Sequence, residues 1–249
     1  MIRTLLTVFS IFLLAVACAS LEPARVSDSS FTVSEAEVAA QDSAIQALVS
    51  PYRSRMQAEM GEVIGSAAVT LEKGSPESSL GNMVADILWA QAEDILGQSF
   101  DFAIANSGGL RIPELPAGPI TRGKIYELLP FDNRVVVVTL TGKTVQQLAD
   151  HIAGRGGWPV SQSVQMTIES DKAVDVRIAG QPLEAEKMYR VVMPDYVANG
   201  GDDSFFLVNL PQEDTGAFMR DVVIAYIKEK AAAGKQLRFE VEGRIQRNP

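Results

Sequence analysis

The feature that most constrains the fold is an alternation of helix-type and strand-type apolar patterns that starts at residue 75. Residues 75–97 repeat apolar side chains at helical spacing, with Pro76 near the start and Gly97 at the end, which predicts an amphipathic helix. Residues 135–140 are mostly valine, which is typical of a buried strand. Strands mixed with long helices in this way predict an α/β or α+β fold, in which helices cover the faces of mixed sheets.

The remaining apolar patterns extend the same alternation over the rest of the chain. Residues 34–60 are helical in pattern, and Pro51 predicts a kink or a break within them because proline lacks the amide that a helix needs. The further predicted strands cover residues 63–71, 102–105, 162–170, 173–179 and 187–197, and the further predicted helices cover residues 144–153 and 216–233.

The first residues have the composition of a targeting segment. Residues 5–17 are almost entirely apolar, follow a positive residue and end in small residues. This run is too short to cross a bilayer, since a spanning helix needs about 20 apolar residues. Its end, Leu-Ala-Val-Ala-Cys, resembles a bacterial lipobox, which predicts a lipoprotein signal peptide over residues 1–17, lipidation of Cys18 and a tether over residues 18–33. An ordinary cleaved signal or a buried thiol is the alternative.

Composition and missing motifs argue against several classes of function. The net charge of −9 argues against general nucleic-acid binding, which relies on a basic surface. Cys18 is the only cysteine, so no disulfide forms within one chain. His151 is the only histidine, which we interpret as a surface or partly buried helix residue, and there is no phosphate-binding loop or serine-hydrolase elbow. We therefore predict no catalytic residue, no metal site and no cofactor in this chain.

The stretch from Asn106 to Arg111 is the first candidate for ligand binding. A predicted strand leads into Gly108 and Gly109, which permit positive φ angles and let backbone amides face a ligand without an obstructing Cβ atom. Arg111 follows at once and offers a planar, permanently charged fork. The combination suits the hydroxyl groups or phosphate oxygens of a nucleotide. The simpler alternative is a tight turn whose arginine pairs with a surface carboxylate.

Two further blocks could supply aromatic and acidic groups. Pro130 fixes the backbone beside Phe131 just before the valine strand. Tyr196 lies at the end of a predicted strand, and the glycine turn that follows contains Gly201 and Asp202. A base held between the two rings would gain about 1–3 kcal/mol from stacking, and the carboxylate could accept hydrogen bonds from ribose hydroxyls. The alternatives are a core phenylalanine and a purely structural turn.

All three blocks, in this order and at this approximate spacing, resemble the C-terminal, substrate-binding domain of the 5′-nucleotidases. The resemblance is strong over residues 62–208, and it implies a layered sandwich of sheets and helices in a domain over residues 61–249. Further similar stretches are residues 63–65, 77–86, 140–142 and 187–191.

Position by position, the resemblance implies a role for each residue of the blocks. Phe131 and Tyr196 would hold the nucleobase from two sides, and Asp202 would bind the ribose hydroxyls. The ribose and phosphate side would be contacted by Asn106 and Arg111. Asn133 would touch the base, and the glycines that allow close approach are Gly108, Gly109 and Gly201.

The chain departs from the family pattern at four positions. Tyr196 stands where phenylalanine is frequent, which should preserve stacking and add a hydroxyl group. Asp132 and Asp203 stand where glycine is common, which predicts additional negative charge in the pocket. Some members carry an arginine where this chain has Gly74, with Lys73 beside it. The missing arginine argues against tight binding of phosphate.

In this family, hydrolysis is performed by an N-terminal dimetal phosphoesterase domain rich in histidine, aspartate and asparagine ligands. A chain with a single histidine cannot assemble such a site. We therefore expect a nucleotide-recognition subunit that is inactive alone and works with a separate metallophosphoesterase, in which any divalent metals would lie. The alternatives are a surface nucleoside-binding lipoprotein without a catalytic partner and a scaffold that binds nothing. We expect an exported, lipid-anchored protein at the cell envelope, facing the periplasm or the surface, and Ala19 favours the outer membrane.

Overall fold

The computed structural model describes residues 43–248, so the predicted signal peptide, the predicted lipidation site at Cys18 and the predicted tether lie outside the described residues. The chain divides after Ser50 into two units.

Helix α1 (Ser43–Met60) is continuous through Pro51, so the predicted break is absent. Pro51 lies in an exposed stretch, where water can bond to the carbonyl that proline leaves without an amide donor. Between residues 43 and 248, no helix has the length and apolarity needed to cross a bilayer.

The second unit, residues 51–249, contains the mixed helices and strands that the sequence predicts. After α1, the helices are α2 (Ser79–Leu96), α3 (Arg122–Leu128), α4 (Gly142–Gly154), α5 (Asp195–Ala198) and α6 (Met219–Ala232). The strands are β1 (Val63–Ala67), β2 (Leu71–Glu72), β3 (Phe102–Ala103), β4 (Glu114–Leu115), β5 (Gly118–Thr121), β6 (Arg134–Thr141), β7 (Val164–Glu169), β8 (Lys172–Ile178), β9 (Gln181–Pro182), β10 (Met188–Pro194), β11 (Gln212–Phe218) and β12 (Ile245–Arg247).

Two four-stranded sheets organise this unit. In the central sheet the strand order is β11-β6-β10-β3, with β10 antiparallel to β6 and parallel to β3. In the second sheet the order is β12-β7-β8-β9, and the pairs β1-β5 and β2-β4 form short ribbons. The mixture of parallel and antiparallel pairs confirms the predicted α/β class with mixed sheets.

The valine run of β6 contributes to two separate cores, because successive side chains of a strand point to opposite faces of its sheet. Val135 and Val137 belong to a first core that also contains buried residues of α2, α3 and α6. Val136 and Val138 belong to a second core, formed with α4 and the second sheet. Helix α4 packs against β8 on one side and against β6 and β10 on the other. The central sheet is therefore covered on both faces, as a layered sandwich requires.

Helix α2 begins later than the sequence predicts. Ser78 is its N-cap, and the hydroxyl oxygen of Ser78 accepts a hydrogen bond from the Gly81 amide at 3.1 Å. Pro76 therefore lies before the helix rather than in its first turn. Gly97 ends the helix in the left-handed conformation, with φ of 63°, and this confirms the predicted C-terminal glycine.

Two other predicted boundaries are wrong. The predicted strand over residues 187–197 ends at Pro194, and residues 195–198 form the one-turn helix α5. The predicted helix over residues 216–233 begins only at Met219, because the preceding residues form β11 and pair with the outer edge of β6. Pairing with a free sheet edge outweighed the helical pattern of these residues.

Candidate functional site

A cleft of about 330 Å³ lies at one end of the central sheet. The predicted site residues converge there because β3 and β10 are parallel and both antiparallel to β6. The carboxyl ends of β3 and β10 and the amino end of β6 consequently meet at the same edge. The lining residues are Asn106, Gly108, Gly109, Arg111, Phe131, Asn133, Tyr196 and Asp202.

Among the described residues, Phe131 and Tyr196 are the aromatic side chains that line the cleft. Phe131 follows α3 in the loop to β6, and Tyr196 lies in α5 just after β10. The residues are 48 % and 44 % exposed, respectively, whereas phenylalanine is usually buried in a core. The alternative interpretation of Phe131 as a core residue is therefore wrong, and both side chains are accessible to a ligand.

Gly201, the predicted site residue that does not line the cleft, supports the ring of Tyr196. A Cβ atom at Gly201 would lie 2.5 Å from three atoms of that ring. Such a contact is far too short, so only glycine lets the ring pack against this turn. One side of the Tyr196 ring is thus occupied by the backbone, and the ring is held beside the cleft.

Both carboxylate oxygens of Asp202 already accept one hydrogen bond each. Tyr196 Oη donates to Oδ1 at 3.0 Å, and Asn106 Nδ2 donates to Oδ2 at 2.7 Å. The Asp202 amide in turn donates to Tyr196 Oη at 3.2 Å. Because an ionised carboxylate offers about four acceptor positions, two remain for donors of a ligand. Asp202 is thereby oriented by Asn106 of the first block and by Tyr196 of its own block, and it is still available to a ligand.

Asn106 is the most buried polar group of the cleft, at 3 % exposure. Its Oδ1 atom has no hydrogen-bond partner within the described part of the chain. A Cβ atom at Gly109 would lie 3.0 Å from Oδ1 and one at Gly108 would lie 3.7 Å from Asp202 Oδ2. The two glycines therefore keep this side of the cleft open around Asn106 and Asp202.

The reason for the adjacent glycines differs from the predicted one. Gly108 and Gly109 lie in a 3₁₀ turn over Ser107–Gly109, and neither has a positive φ angle. Positive φ occurs instead in the third block, at Gly200 with φ of 92° and at Asp202 with φ of 50°. In the first block, glycine is needed because a side chain would narrow the cleft. In the third block, glycine is needed because Gly200 adopts a positive φ angle.

Arg111 supplies the positive charge at the rim. Its amide donates to the Leu128 carbonyl at 2.9 Å, and its Nη1 donates to the Gly108 carbonyl at 3.3 Å. Its guanidinium carbon lies 5.8 Å from the centre of the Phe131 ring, which is within the range of a cation–π contact. No carboxylate pairs with Arg111 among the described residues. The alternative of an arginine paired with a surface carboxylate is therefore wrong.

The prediction that Asp132 and Asp203 add negative charge to the lining is also wrong. Neither carboxylate lines the cleft. Asp132 Oδ1 accepts a hydrogen bond from Arg220 Nη2 at 2.6 Å, and Asp203 pairs with Arg155. Each added acid is paired with an arginine, so Asp202 is the only acid in the lining among the residues that the structure describes.

His151 lies directly behind Asp202, a position that its sequence context did not indicate. Its Nε2 atom lies 2.9 Å from the Asp202 carbonyl oxygen and 3.1 Å from Arg155 Nε. The ring also packs edge-on against Trp158 and Phe206. Burial, together with the nearby Arg155 charge, lowers the pKa of His151 below its usual value. The lowered pKa favours the neutral imidazole, which touches the backbone of the site without lining the cleft.

Two more basic residues fasten the site from behind. Arg220 of α6 donates to the carbonyls of Leu129 and Pro130 at 3.4 Å each, and thereby holds the loop that carries Phe131. Lys73 Nζ donates to the Leu110 carbonyl at 2.8 Å. Lys73 thus supports the chain beside Arg111 rather than lining the cleft. Neither contact had a signal in the sequence, since both partners are backbone carbonyls far away along the chain.

The described residues contain no candidate metal centre. Between residues 43 and 248, no three histidine, cysteine, aspartate or glutamate side chains cluster in a way that could hold a metal ion. The described part of the chain thus combines a layered fold with a cleft in which two aromatic rings, one carboxylate and one guanidinium meet at the edge of a mixed sheet.

The chain belongs to the 5′-nucleotidase C-terminal domain family. The profile described as 5′-nucleotidase, C-terminal domain, matches residues 63–208, which is more than half of the chain. This match confirms the resemblance that the three blocks indicate.

Similar proteins are much longer than this chain. Protein UshA of Escherichia coli is 29 % identical over 213 residues, which are 83 % of this chain and 38 % of that protein. A 5′-nucleotidase of Rattus norvegicus is 26 % identical, over 82 % of this chain and 40 % of that protein. The structure of a 5′-nucleotidase precursor from Thermus thermophilus superimposes with a TM-score of 0.69 at 31 % identity, over 83 % of this chain and 43 % of that one. The chain spans about two fifths of the length of these relatives.

Proposed function

We propose that this chain is the nucleotide- or nucleoside-recognition subunit of a 5′-nucleotidase-type phosphohydrolase system. The chain itself is non-catalytic, and a metallophosphoesterase on a separate chain performs the hydrolysis. The observation that carries the proposal is the cleft of about 330 Å³, in which Phe131 and Tyr196 are about half exposed beside Asp202 and Arg111. Small-molecule sites in proteins commonly have volumes of about 300–1,000 Å³.

The aromatic residues favour a planar ligand. Phe131 and Tyr196 line the same cleft from the ends of different strands, and the other side of the Tyr196 ring is occupied by Gly201. A nucleobase stacked on such rings gains about 1–3 kcal/mol per base. Asn133 lines the cleft beside Phe131 and can bond to the edge of the base.

The polar residues favour a sugar next to the base. Asp202 retains two acceptor positions for a pair of adjacent hydroxyl groups, as in ribose. Arg111 places a charged fork at the rim, where a phosphate attached to the sugar would lie. The overall charge of −9 opposes the approach of an anion, so a phosphate depends on this local charge.

Calorimetry on the full chain with adenosine and AMP tests recognition. We expect both ligands to bind, and we expect Phe131→Ala to weaken adenosine binding by about 10- to 100-fold, which corresponds to the loss of stacking. Phe205→Ala is the matched control, because Phe205 is 70 % exposed and does not line the cleft. Equal affinities of the wild type and Phe131→Ala would contradict the proposal, as would the absence of binding.

The catalytic partnership needs a separate assay. The chain is mixed with an envelope metallophosphoesterase from the same organism that lacks a C-terminal domain of this family, and phosphate release from AMP is measured. We expect the wild-type chain to lower the KM of the phosphoesterase for AMP. The Phe131→Ala variant should not lower this KM, and the Phe205→Ala variant should lower it as much as the wild type does. An unchanged rate and KM, without a complex in sedimentation, would contradict the partnership.

A second candidate is a nucleoside-binding lipoprotein that needs no catalytic partner. It is favoured by the cleft itself, in which Phe131, Asp202 and Arg111 already combine an aromatic ring, an acceptor for hydroxyl groups and a positive charge. Binding of adenosine together with no effect on any phosphoesterase would support this candidate over the first. Both candidates include export and anchoring through a lipid at Cys18, which mass spectrometry of the protein extracted from membranes would detect.

A further inference from the structure

We infer that His151, Arg155 and Asp203 form a positioning unit that orients Asp202 toward the sugar hydroxyls of the ligand. The inference rests on the proposed function, because it concerns the sugar side of the same cleft. None of the three residues lines the cleft. They act through the backbone and through the turn that carries Asp202.

The turn that carries Asp202 has an unfavourable backbone conformation. Gly200, Asp202 and Asp203 have φ angles of 92°, 50° and 62°. For residues other than glycine, such left-handed conformations cost about 1–2 kcal/mol each and persist only where the surrounding contacts fix them. The structure must therefore contain groups that hold the two aspartates in place.

Each of the two aspartates has a partner at the carboxyl end of α4. Arg155, the C-cap of this helix, pairs with the Asp203 carboxylate. His151, one turn earlier, places Nε2 at 2.9 Å from the Asp202 carbonyl oxygen. On the cleft side, Tyr196 accepts a hydrogen bond from the Asp202 amide. Groups thus stand against the peptide units on both sides of the Asp202 side chain, and their contacts influence the direction of its carboxylate.

The three residues of the unit are coupled to one another. Arg155 Nε, which can only donate, lies 3.1 Å from the same Nε2 atom of His151 that faces the Asp202 carbonyl. A neutral imidazole nitrogen either accepts from the arginine or donates to the carbonyl, but not both. The charge of Asp203 holds Arg155 in place and thereby influences which of the two contacts the imidazole makes.

This arrangement has a specific consequence for ligand choice. Stacking depends on Phe131, which lies on the opposite side of the cleft from the unit, and on the ring of Tyr196, which the unit reaches only through the turn that carries Asp202. Hydrogen bonds to the sugar depend on the direction of the Asp202 carboxylate, and this direction depends on the contacts that the unit makes with the turn. Loss of the unit should therefore lower the affinity for ligands with a 2′,3′-diol and leave the affinity for ligands without hydroxyl groups at these positions unchanged.

Calorimetry with adenosine and 2′,3′-dideoxyadenosine on the full chain tests this consequence. We expect Arg155→Gln and Asp203→Asn each to weaken adenosine binding by about fivefold, the upper range for a partly exposed ion pair. Affinity for the dideoxynucleoside should stay within about twofold of the wild type. Arg155→Lys, which keeps the charge opposite Asp203, should recover at least half of the loss. The matched control is Lys143→Gln, which removes an exposed ion pair with Glu186 at the other end of α4.

Equal losses for both ligands would show a general structural role and overturn the inference. So would an adenosine affinity that is unchanged relative to the Lys143→Gln control. If the wild type binds neither ligand, the proposed function fails, and a second measurement decides whether the unit exists.

That measurement uses the fact that His151 is the only histidine of the chain, so its NMR titration needs no assignment as long as no histidine tag is present. The neighbouring Arg155 charge lowers the pKa of His151 and the Asp203 charge raises it. Arg155→Gln should therefore raise the pKa and Asp203→Asn should lower it, and the Asp202 amide should exchange faster with solvent in both variants. If neither variant changes the pKa of His151 or the exchange rate of the Asp202 amide, the inference of a positioning unit is overturned.

Discussion

The cleft has two walls, the Phe131 wall, which is the loop that carries Phe131, and the Asp202 wall, which is the turn that carries Asp202. An arginine fastens each wall, but the two arginines differ in burial and in the groups that they bind. Behind Phe131, the Arg220 side chain is 11 % exposed and donates to two backbone carbonyls as well as to Asp132. Behind Asp202, the Arg155 side chain is 34 % exposed and bonds to two side chains, those of Asp203 and His151.

This difference has a physical consequence. Backbone carbonyls do not titrate, and arginine stays charged at every ordinary pH, so the Phe131 wall should be stable and insensitive to pH. Bonds between side chains depend on rotamers, and one of the partners on the Asp202 wall is a histidine. The Phe131 side of the base surface should therefore be rigid, and the contacts of Asp202 with the sugar should be adjustable.

The largest expected effect comes from removing Arg220. Arg220→Met should lower the free energy of unfolding by about 2 kcal/mol, because the largely buried guanidinium and its bonds to the Leu129 and Pro130 carbonyls and to Asp132 are lost. The loss includes a cation–π contact with Tyr126, whose ring centre lies 4.2 Å from the guanidinium. Urea denaturation measures the change. A change below that of Arg155→Gln would contradict the contrast between the walls.

The next effect concerns the aromatic residues themselves. Phe131→Ala should weaken adenosine binding by about 1–3 kcal/mol and leave stability nearly unchanged, because the side chain is about half exposed. Tyr196→Phe keeps the ring and removes the hydroxyl that bonds to Asp202. Calorimetry should show a smaller loss for Tyr196→Phe than for Phe131→Ala, and the loss should vanish for 2′,3′-dideoxyadenosine. A larger loss for Tyr196→Phe would mean that the hydroxyl matters more than the ring.

A third, smaller effect is a pH dependence that belongs to the Asp202 wall alone. Burial and Arg155 lower the pKa of His151 in the folded chain, so between the lowered pKa and about 6.5 the unfolded chain binds more protons than the folded one. Stability should therefore decrease as the pH falls from 7.5 to 5.5. Urea midpoints for the wild type and His151→Gln test this, since carboxylates titrate mostly below that window. An equal slope in both proteins would remove His151 as the cause.

The smallest expected effect is at Asp132, whose side chain is 73 % exposed although it pairs with Arg220. Asp132→Asn should change the free energy of unfolding by about 0.5 kcal/mol or less, as is usual for exposed ion pairs. Arg220 retains its two carbonyl partners in this variant. A large loss in urea denaturation would show that Asp132, and not the carbonyls, holds Arg220.

The sequence predicts those parts of the fold that depend on local patterns. Gly97 ends α2 where the helical pattern stops, and the valine run forms β6. The edge strand β11 is not predictable from local pattern, because its formation depends on pairing with a strand about 75 residues earlier along the chain. Short polar segments at a sheet edge carry no alternation from which such a strand could be predicted.

For the site, the three blocks predict all of the lining residues, but not what stands behind them. Ligand-facing groups recur in fixed local motifs, and their residue types are chemically specific. Arg220 and Lys73 bond to carbonyls, which every residue possesses, so nothing in the partner's sequence marks the contact. The same holds for His151, whose contact is with the Asp202 backbone. The sequence shows that Asp132 and Asp203 are charged, but whether their carboxylates point into the cleft depends on tertiary packing.

The alternating valines of β6 limit how this cleft could be transferred to another scaffold. One strand gives Val135 and Val137 to one apolar layer and Val136 and Val138 to the other, and it starts one residue after Asn133. A shortened version without the second sheet would expose half of the strand to water beside the place where a ligand would rest. An engineer who wants to graft the cleft must therefore move both layers together, and a minimal fragment around the three blocks would not retain the geometry.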